Sequence, residues 1–168
     1  MYVQARAEYQ ANENLLYDDF TIGWVGFMAS YNGRFFDGGY SGHDVNGRDY
    51  ISENIRNVLA QLKNLYYSEF VFSEYQNLKL PKNSIVYCDP PYQYTKQYST
   101  SRNFNHDLFW VWVRQKVLEG HKVFVSEYQA PSDFVCVWSK EINNTMHQKN
   151  THKPVEKLFV FVDQFLED

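Results

Sequence analysis

Two hydrophobic periods run along the 168 residues. The 3.6-residue period is strongest at Asp49–Leu65, where Ile55, Val58, Leu59 and Leu62 recur on one face, with Ser52 as the N-cap. It returns over Asp107–Leu118 through Phe109, Trp110, Val113 and Val117, and Gly120 is the stop signal. A third helix is expected within Val3–Leu16, broken by Asp18 and Asp19. β-favouring runs predict strands at Glu69–Tyr75, from Ile85 and Val86 onward, at His121–Val125, and as a pair at Phe134–Ile142 and Val155–Val162. Strand, loop, helix, strand and a final strand pair predict an α/β fold. Between these elements lie Gly- and aromatic-rich residues 20–50 and the polar loop Gln93–Asn105, with Tyr94, Lys96, Tyr98 and Arg102. A basic connector, Lys149-Asn150-Thr151-His152-Lys153, separates the strand pair.

Length predicts one domain with a real core. Aromatics make up 18% of the chain, more than such a core needs, so many must sit on binding or stacking surfaces. A net charge of −4 excludes a globally basic nucleic-acid binder; any nucleic-acid contact needs a local basic face. Cys88 and Cys136 have no metal spacing and both fall in strand-like runs, which predicts two buried, reduced thiols in a cytoplasmic protein. The five histidines share no metal-ligand spacing either, so no metal site is expected. No apolar run approaches the ~18 residues of a membrane span.

The distinctive chemistry lies at Ser84-Ile85-Val86-Tyr87-Cys88-Asp89-Pro90-Pro91-Tyr92. The strand stops at Asp89 against two prolines, which cannot donate to a ladder and which bias the preceding residues away from helix. A stiff loop must leave the strand's carboxyl edge, where open α/β sheets bind ligands. It offers the Asp89 carboxylate and the Pro90 carbonyl as paired acceptors, with the Tyr92 ring beside them. Two acceptors match the two N–H donors of an exocyclic amine, and a ring stacks on a flipped nucleobase. The same residues would also serve as a rigid turn with a capping Asp.

Asp89-Pro90-Pro91-Tyr92 resembles the catalytic motif of amino-methylating DNA methyltransferases, and the chain resembles the Dam-like adenine-specific family. The blocks Gly33–Tyr40, Val125–Pro131 and Glu156–Phe159 resemble family blocks in family order, from about Phe20 to Phe161. The resemblance implies a partial Rossmann-like sheet dependent on S-adenosyl-L-methionine. Residues 1–66 would carry an aromatic, Gly-rich DNA-recognition segment (20–50) and a helix, and residues 67–168 the catalytic half. It makes Asp89, Pro90, Pro91 and Tyr92 catalytic. Glu74, Tyr75 and Asp89 would touch the cofactor, with Glu74 standing where the family commonly has Asp. Asn32, Arg34, Tyr94, Lys96 and Tyr128 would touch double-stranded DNA, with Phe27 and Phe36 packing inside. Ser126, Glu127 and Tyr128 shape the pocket or serve as a turn.

The glycine-rich strand-to-helix loop that holds the cofactor's methionine part has no counterpart before residue 20. The sequence therefore reads as the family's C-terminal portion: a truncation, one subunit of a split methyltransferase, or an inactive DNA-binding remnant. Its partner would then be a separate cofactor-binding chain, or another copy through an exposed sheet edge. The tetrapeptide alone serves adenine and cytosine amines alike.

Overall fold

A computed structural model of the chain describes residues 1–13, 15–43, 46–95, 101, 103–141 and 155–165. Where length predicts one domain, the chain divides into two compact units, Met1–Val71 and Phe72–Asp168.

The first unit is helical. Helix α1 spans Tyr2–Ala11, α2 Asp19–Met28 and α3 Tyr50–Leu62. α2 lies almost wholly within the Gly-rich stretch 20–50, where the sequence pattern predicts no helix. The break between α1 and α2 ends at Asp18, which caps α2, its carboxylate accepting from the Thr21 N–H at 2.8 Å. Burial of Ile22 and Val25 beside Ala5 and Tyr2 of α1 outweighs the propensity lost at Gly23 and Gly26. Gly26 lets the Phe35 ring approach the helix, since a Cβ there would lie 2.3 Å from that ring and force it to shift.

α3 begins at Tyr50, and its cap is Asp49 rather than Ser52. One Asp49 oxygen accepts from the Ile51 and Ser52 N–H groups at 3.1 and 3.0 Å, and the Ser52 hydroxyl donates to the other. The helix ends at Leu62 and tightens into a 3₁₀ turn, Lys63–Leu65. Its apolar stripe is only partly covered, with Leu59 and Leu62 largely exposed.

The second unit carries β1 (Ile85–Cys88), α4 (His106–Leu118), β2 (Lys122–Glu127), β3 (Phe134–Glu141) and β4 (Val155–Phe161). They form a mixed four-stranded sheet in the order β1-β2-β4-β3. β1 and β2 are parallel, with Ile85 opposite Lys122 and Cys88 opposite Val125. β4 is antiparallel to both its neighbours.

α4 connects the parallel pair and packs on one sheet face through Phe109, Trp110, Trp112, Val113 and Val117, against Val123, Val125, Phe134, Phe159 and Phe161. Its cap is Asn105, accepting from the Leu108 N–H at 3.0 Å, and Gly120 closes it at φ 87°. The starts of β1 and β2 are pinned where the Ser84 N–H donates to Nδ1 of the buried His121. β1 turns Val86 and Cys88 to the core and leaves Ile85 and Tyr87 76% and 63% exposed.

Three expectations fail here. Residues 69–74 form no strand, because no described strand pairs with them; Phe70 and Phe72 alternate as a strand would but stand in solvent. β2 runs two residues beyond Val125, so Ser126 and Glu127 lie in the ladder, opposite Leu158 and Lys157. Only one thiol is shielded. Burial pushes Cys88 up to about 11, whereas Cys136 is exposed on the edge strand β3. Ile142 and the basic connector 149–153 lie outside the described residues. Among the described residues no helix is long and apolar enough to cross a membrane.

Candidate active site

β1 ends at Cys88 and the two prolines lift the chain off the sheet, as their missing donors require. Asp89 is exposed, Pro90 is buried and Tyr92 is partly buried. The loop then turns at once, the Thr95 hydroxyl donating to the Tyr92 carbonyl at 2.8 Å. Because β2 is the parallel neighbour, its carboxyl end emerges beside this loop. Ser126 and Glu127 reach across to it.

The Tyr92 and Ser126 hydroxyls share a hydrogen bond of 2.5 Å. The ring of Tyr128 meets the Tyr92 ring edge-on, 4.8 Å between centroids at 86°. Glu127 is only 2% exposed, yet both of its oxygens are used. Oε2 accepts from the Gln93 N–H at 2.8 Å and Oε1 from its neighbour Tyr128 N–H at 2.7 Å.

The electrostatics bind these groups into one cluster. Burial pushes the Tyr92 phenol above its ordinary value, the Ser126 hydrogen bond offsets part of this, and the charges of Asp89 and Glu156 add to the rise. Tyr128 is raised by burial and then by Glu156 and Glu127. Both rings are therefore neutral hydrogen-bonding groups at physiological pH. Burial also raises Glu127, while the Gln93 and Tyr128 N–H groups and His106 draw it back and Asp89 pushes it up.

Asp89 accepts no hydrogen bond among the described residues, which leaves its oxygens facing solvent. The site thus presents a bare carboxylate, a half-buried aromatic wall and a braced loop. Such a set suits an incoming amine donor on a planar ring.

The other expected residues are distributed unevenly. The Tyr75 ring is committed to the core, with edge contacts of 5.3 and 5.7 Å to Trp112 and Phe109, while Glu74 is exposed. Tyr94 stands in solvent at φ 66° beside Thr95. Lys96, Tyr98 and Arg102 lie outside the described residues.

Asn32 and Arg34 belong to the first unit, on a loop tied from Ser30 to Tyr40. The Tyr31 N–H donates to the Gly39 carbonyl at 2.8 Å, and the Phe36 N–H donates to the buried Ser30 hydroxyl at 3.0 Å. This cross-bonding holds the Gly-rich segment in one backbone course. Phe36 packs inside as expected, but Phe27 is 53% exposed and only leans on Phe35. Asn32 is exposed, and Arg34 joins no ion pair among the described residues.

Sequence reading missed His106, which acts on Glu127 only through its charge and carries no local motif; Glu156 opens one of the recognised blocks, but its charge on Tyr92 and Tyr128 was not foreseen. A family model for D12 class N6 adenine-specific DNA methyltransferases matches residues 4–160. The chain belongs to that family. No curated protein and no solved structure matches it. The D12 match begins inside α1, upstream of Phe20 where the recognisable blocks start, so α1 and α2 lie within the family region. D12 enzymes methylate adenine in DNA, and the mixed α/β unit described above is consistent with a methyltransferase fold.

Proposed function

We propose that the Asp89–Tyr92 loop activates the N6 amine of an adenine flipped out of double-stranded DNA, for methylation from S-adenosyl-L-methionine in the cytoplasm. The observation that carries this is the exposed Asp89 carboxylate at the carboxyl end of β1, beside the braced Tyr92 ring. The amine is a poor nucleophile because its lone pair is delocalised into the ring. Hydrogen bonds to the Asp89 carboxylate and Pro90 carbonyl favour the pyramidal form. Positive charge grows on the nitrogen as it reacts, so these acceptors hold the transition state more tightly than the ground state. Tyr92 gives the extruded base a surface worth about 1–3 kcal/mol of stacking. Asn32, Arg34, Tyr94 and Tyr128 are proposed as DNA contacts, with Arg34 suited to a phosphate.

S-adenosyl-L-methionine supplies the methyl group, and the described residues fit it incompletely. None of the eight glycines lies between a strand and the helix that follows it, so the backbone cradle is absent from this chain's described strands. Tyr75, expected at the cofactor's adenine, has its ring packed into the α4 core. The mechanism here is therefore that of the acceptor side alone. The misfit favours a second reading: a DNA-binding remnant, or one subunit completed by a cofactor-binding chain. Among the described residues β1 pairs with β2 alone, so its other edge is a ready place for further strands or for association of copies.

One assay separates these readings. The 168-residue protein is incubated with DNA and millimolar S-adenosyl-L-methionine, nucleosides are quantified by mass spectrometry, and cofactor affinity is measured by calorimetry. N6-methyladenine with a cofactor Kd far weaker than micromolar is expected, since each 1.4 kcal/mol of lost contacts is about tenfold. N4-methylcytosine as product, or micromolar affinity without product, overturns the proposal.

The Tyr92–Ser126 bond also revises an expectation. From sequence, Tyr92→Phe should keep most activity because the stacking face survives. With the hydroxyl bonded, Phe is expected to lose about 0.5–1.5 kcal/mol of orientation, a few-fold to tenfold in turnover. Ala should lose a further stacking term of about 1–3 kcal/mol. Initial rates of the two variants check this, and a Phe variant as slow as Ala would refute the stacking role.

A further inference from the structure

We propose that Glu127 is a positioning residue for methyl transfer: its carboxylate clasps the Gln93 N–H and thereby fixes the loop that carries Asp89 and Tyr92. This rests on the reading of that loop as the acceptor site. A core position at 2% exposure is a costly place for a carboxylate, and the interior around it would accept an apolar side chain more cheaply. What an apolar side chain cannot do is accept two hydrogen bonds at once. Oε2 takes the Gln93 N–H, one residue after Tyr92, and Oε1 takes the Tyr128 N–H, whose ring walls Tyr92.

One rigid group therefore ties the exit of the Asp89 loop to the exit of β2, and the Ser126–Tyr92 hydrogen bond adds a second tie on the same strand end. β2 is held in turn by β1 on one side and β4 on the other. The proline pair stiffens the loop where it leaves β1, but nothing in a proline fixes where the loop comes back. Glu127 supplies that second anchor. The groups around it are His106 at the start of α4, Asp89 at the end of β1, Tyr128 beside it, and Lys157 opposite it on β4.

Glu127→Gln is the decisive variant, because it preserves volume and one acceptor oxygen. Its amide nitrogen must then face one of the two backbone N–H donors, and one tie is lost. Amide exchange followed by NMR reads the clasp directly. In the wild-type protein the Gln93 amide, though in a loop, is expected to be protected like the Val123 and Val125 amides of β2. In Glu127→Gln its exchange should rise at least about tenfold while the β2 amides stay within about twofold.

Turnover at saturating cofactor should fall by about ten- to a hundredfold with half-saturation by cofactor unchanged, a split that a general loss of structure would not give. An unprotected Gln93 amide in the wild type overturns the proposal even if the variant fails to fold. Wild-type exchange and turnover in Glu127→Gln overturn it as well. If the clasp behaves as described but the wild-type protein makes no N6-methyladenine, the clasp stands as a structural tie and it is the acceptor-site reading that fails.

Discussion

Replacing Asp89 by alanine is expected to lower adenine methylation by about 10²–10³-fold, the effect of removing one well-placed charge-stabilising group, about 2.7–4 kcal/mol. Stability should hardly change. The carboxylate is exposed at a strand end and accepts no hydrogen bond among the described residues, so its loss empties no cavity and orphans no buried donor. Surface changes of this kind are usually within about 0.5 kcal/mol. The measurement is a paired one, initial rates by methyl incorporation and urea denaturation of the same preparations. Turnover like that of the wild type would sink the acceptor mechanism. A large loss of stability would mean that Asp89 is a turn cap, the alternative its sequence context allows.

Trp110→Ala should do the reverse, acting on the fold before the chemistry. Trp110 is buried on α4, its ring 4.6 Å from that of Phe134 and 5.4 Å from that of Phe109. Emptying such a position costs about 3–5 kcal/mol, a large share of the roughly 5–15 kcal/mol that holds a domain together. The neighbouring Val111, 56% exposed on the same helix, should cost less than about 0.5 kcal/mol as alanine. Chemical denaturation followed by circular dichroism compares the two. Equal midpoints would contradict the packing of α4 on the sheet.

What the sequence discloses depends on whether a feature is local. β1, α4 and its Gly120 stop are legible because periodicity and turn chemistry sit within the segment itself. Asp89 and Tyr92 are legible for the same reason, since two prolines after an apolar run leave the chain few courses. α2 is hidden because Gly23 and Gly26 argue against helix, and only burial against α1 and the approach of Phe35 overrule them. Residues 69–74 fail in the opposite sense. Their alternation is that of a strand, but a strand is a pairing, and no single segment contains its partner. Asp49 displaces Ser52 as the cap because the choice is made by three hydrogen bonds, not by residue class. At the site, the bracing by Ser126 and Glu127 depends on β2 lying parallel and adjacent to β1, and on β2 continuing two residues further than its apolar pattern.

The strand order carries a consequence for how the molecule assembles. β4 follows β3 along the chain, yet it lies between β2 and β3. Among the described residues β3 has no other neighbour, and β2 has only the short β1 on its far side. β3 and β4 are consecutive strands and can pair locally, whereas β2 must pair with β4 across the whole of β3, a longer loop closure that makes the β2–β4 seam the later event in folding. A nascent chain emerging from the ribosome as far as residue 154 already contains Asp89, Tyr92, Ser126 and Glu127. The strand that fixes the far edge of β2 has still to arrive. The residues of the proposed acceptor site are thus all synthesised before the strand that borders β2, and the arrival of β4 is what fixes that far edge.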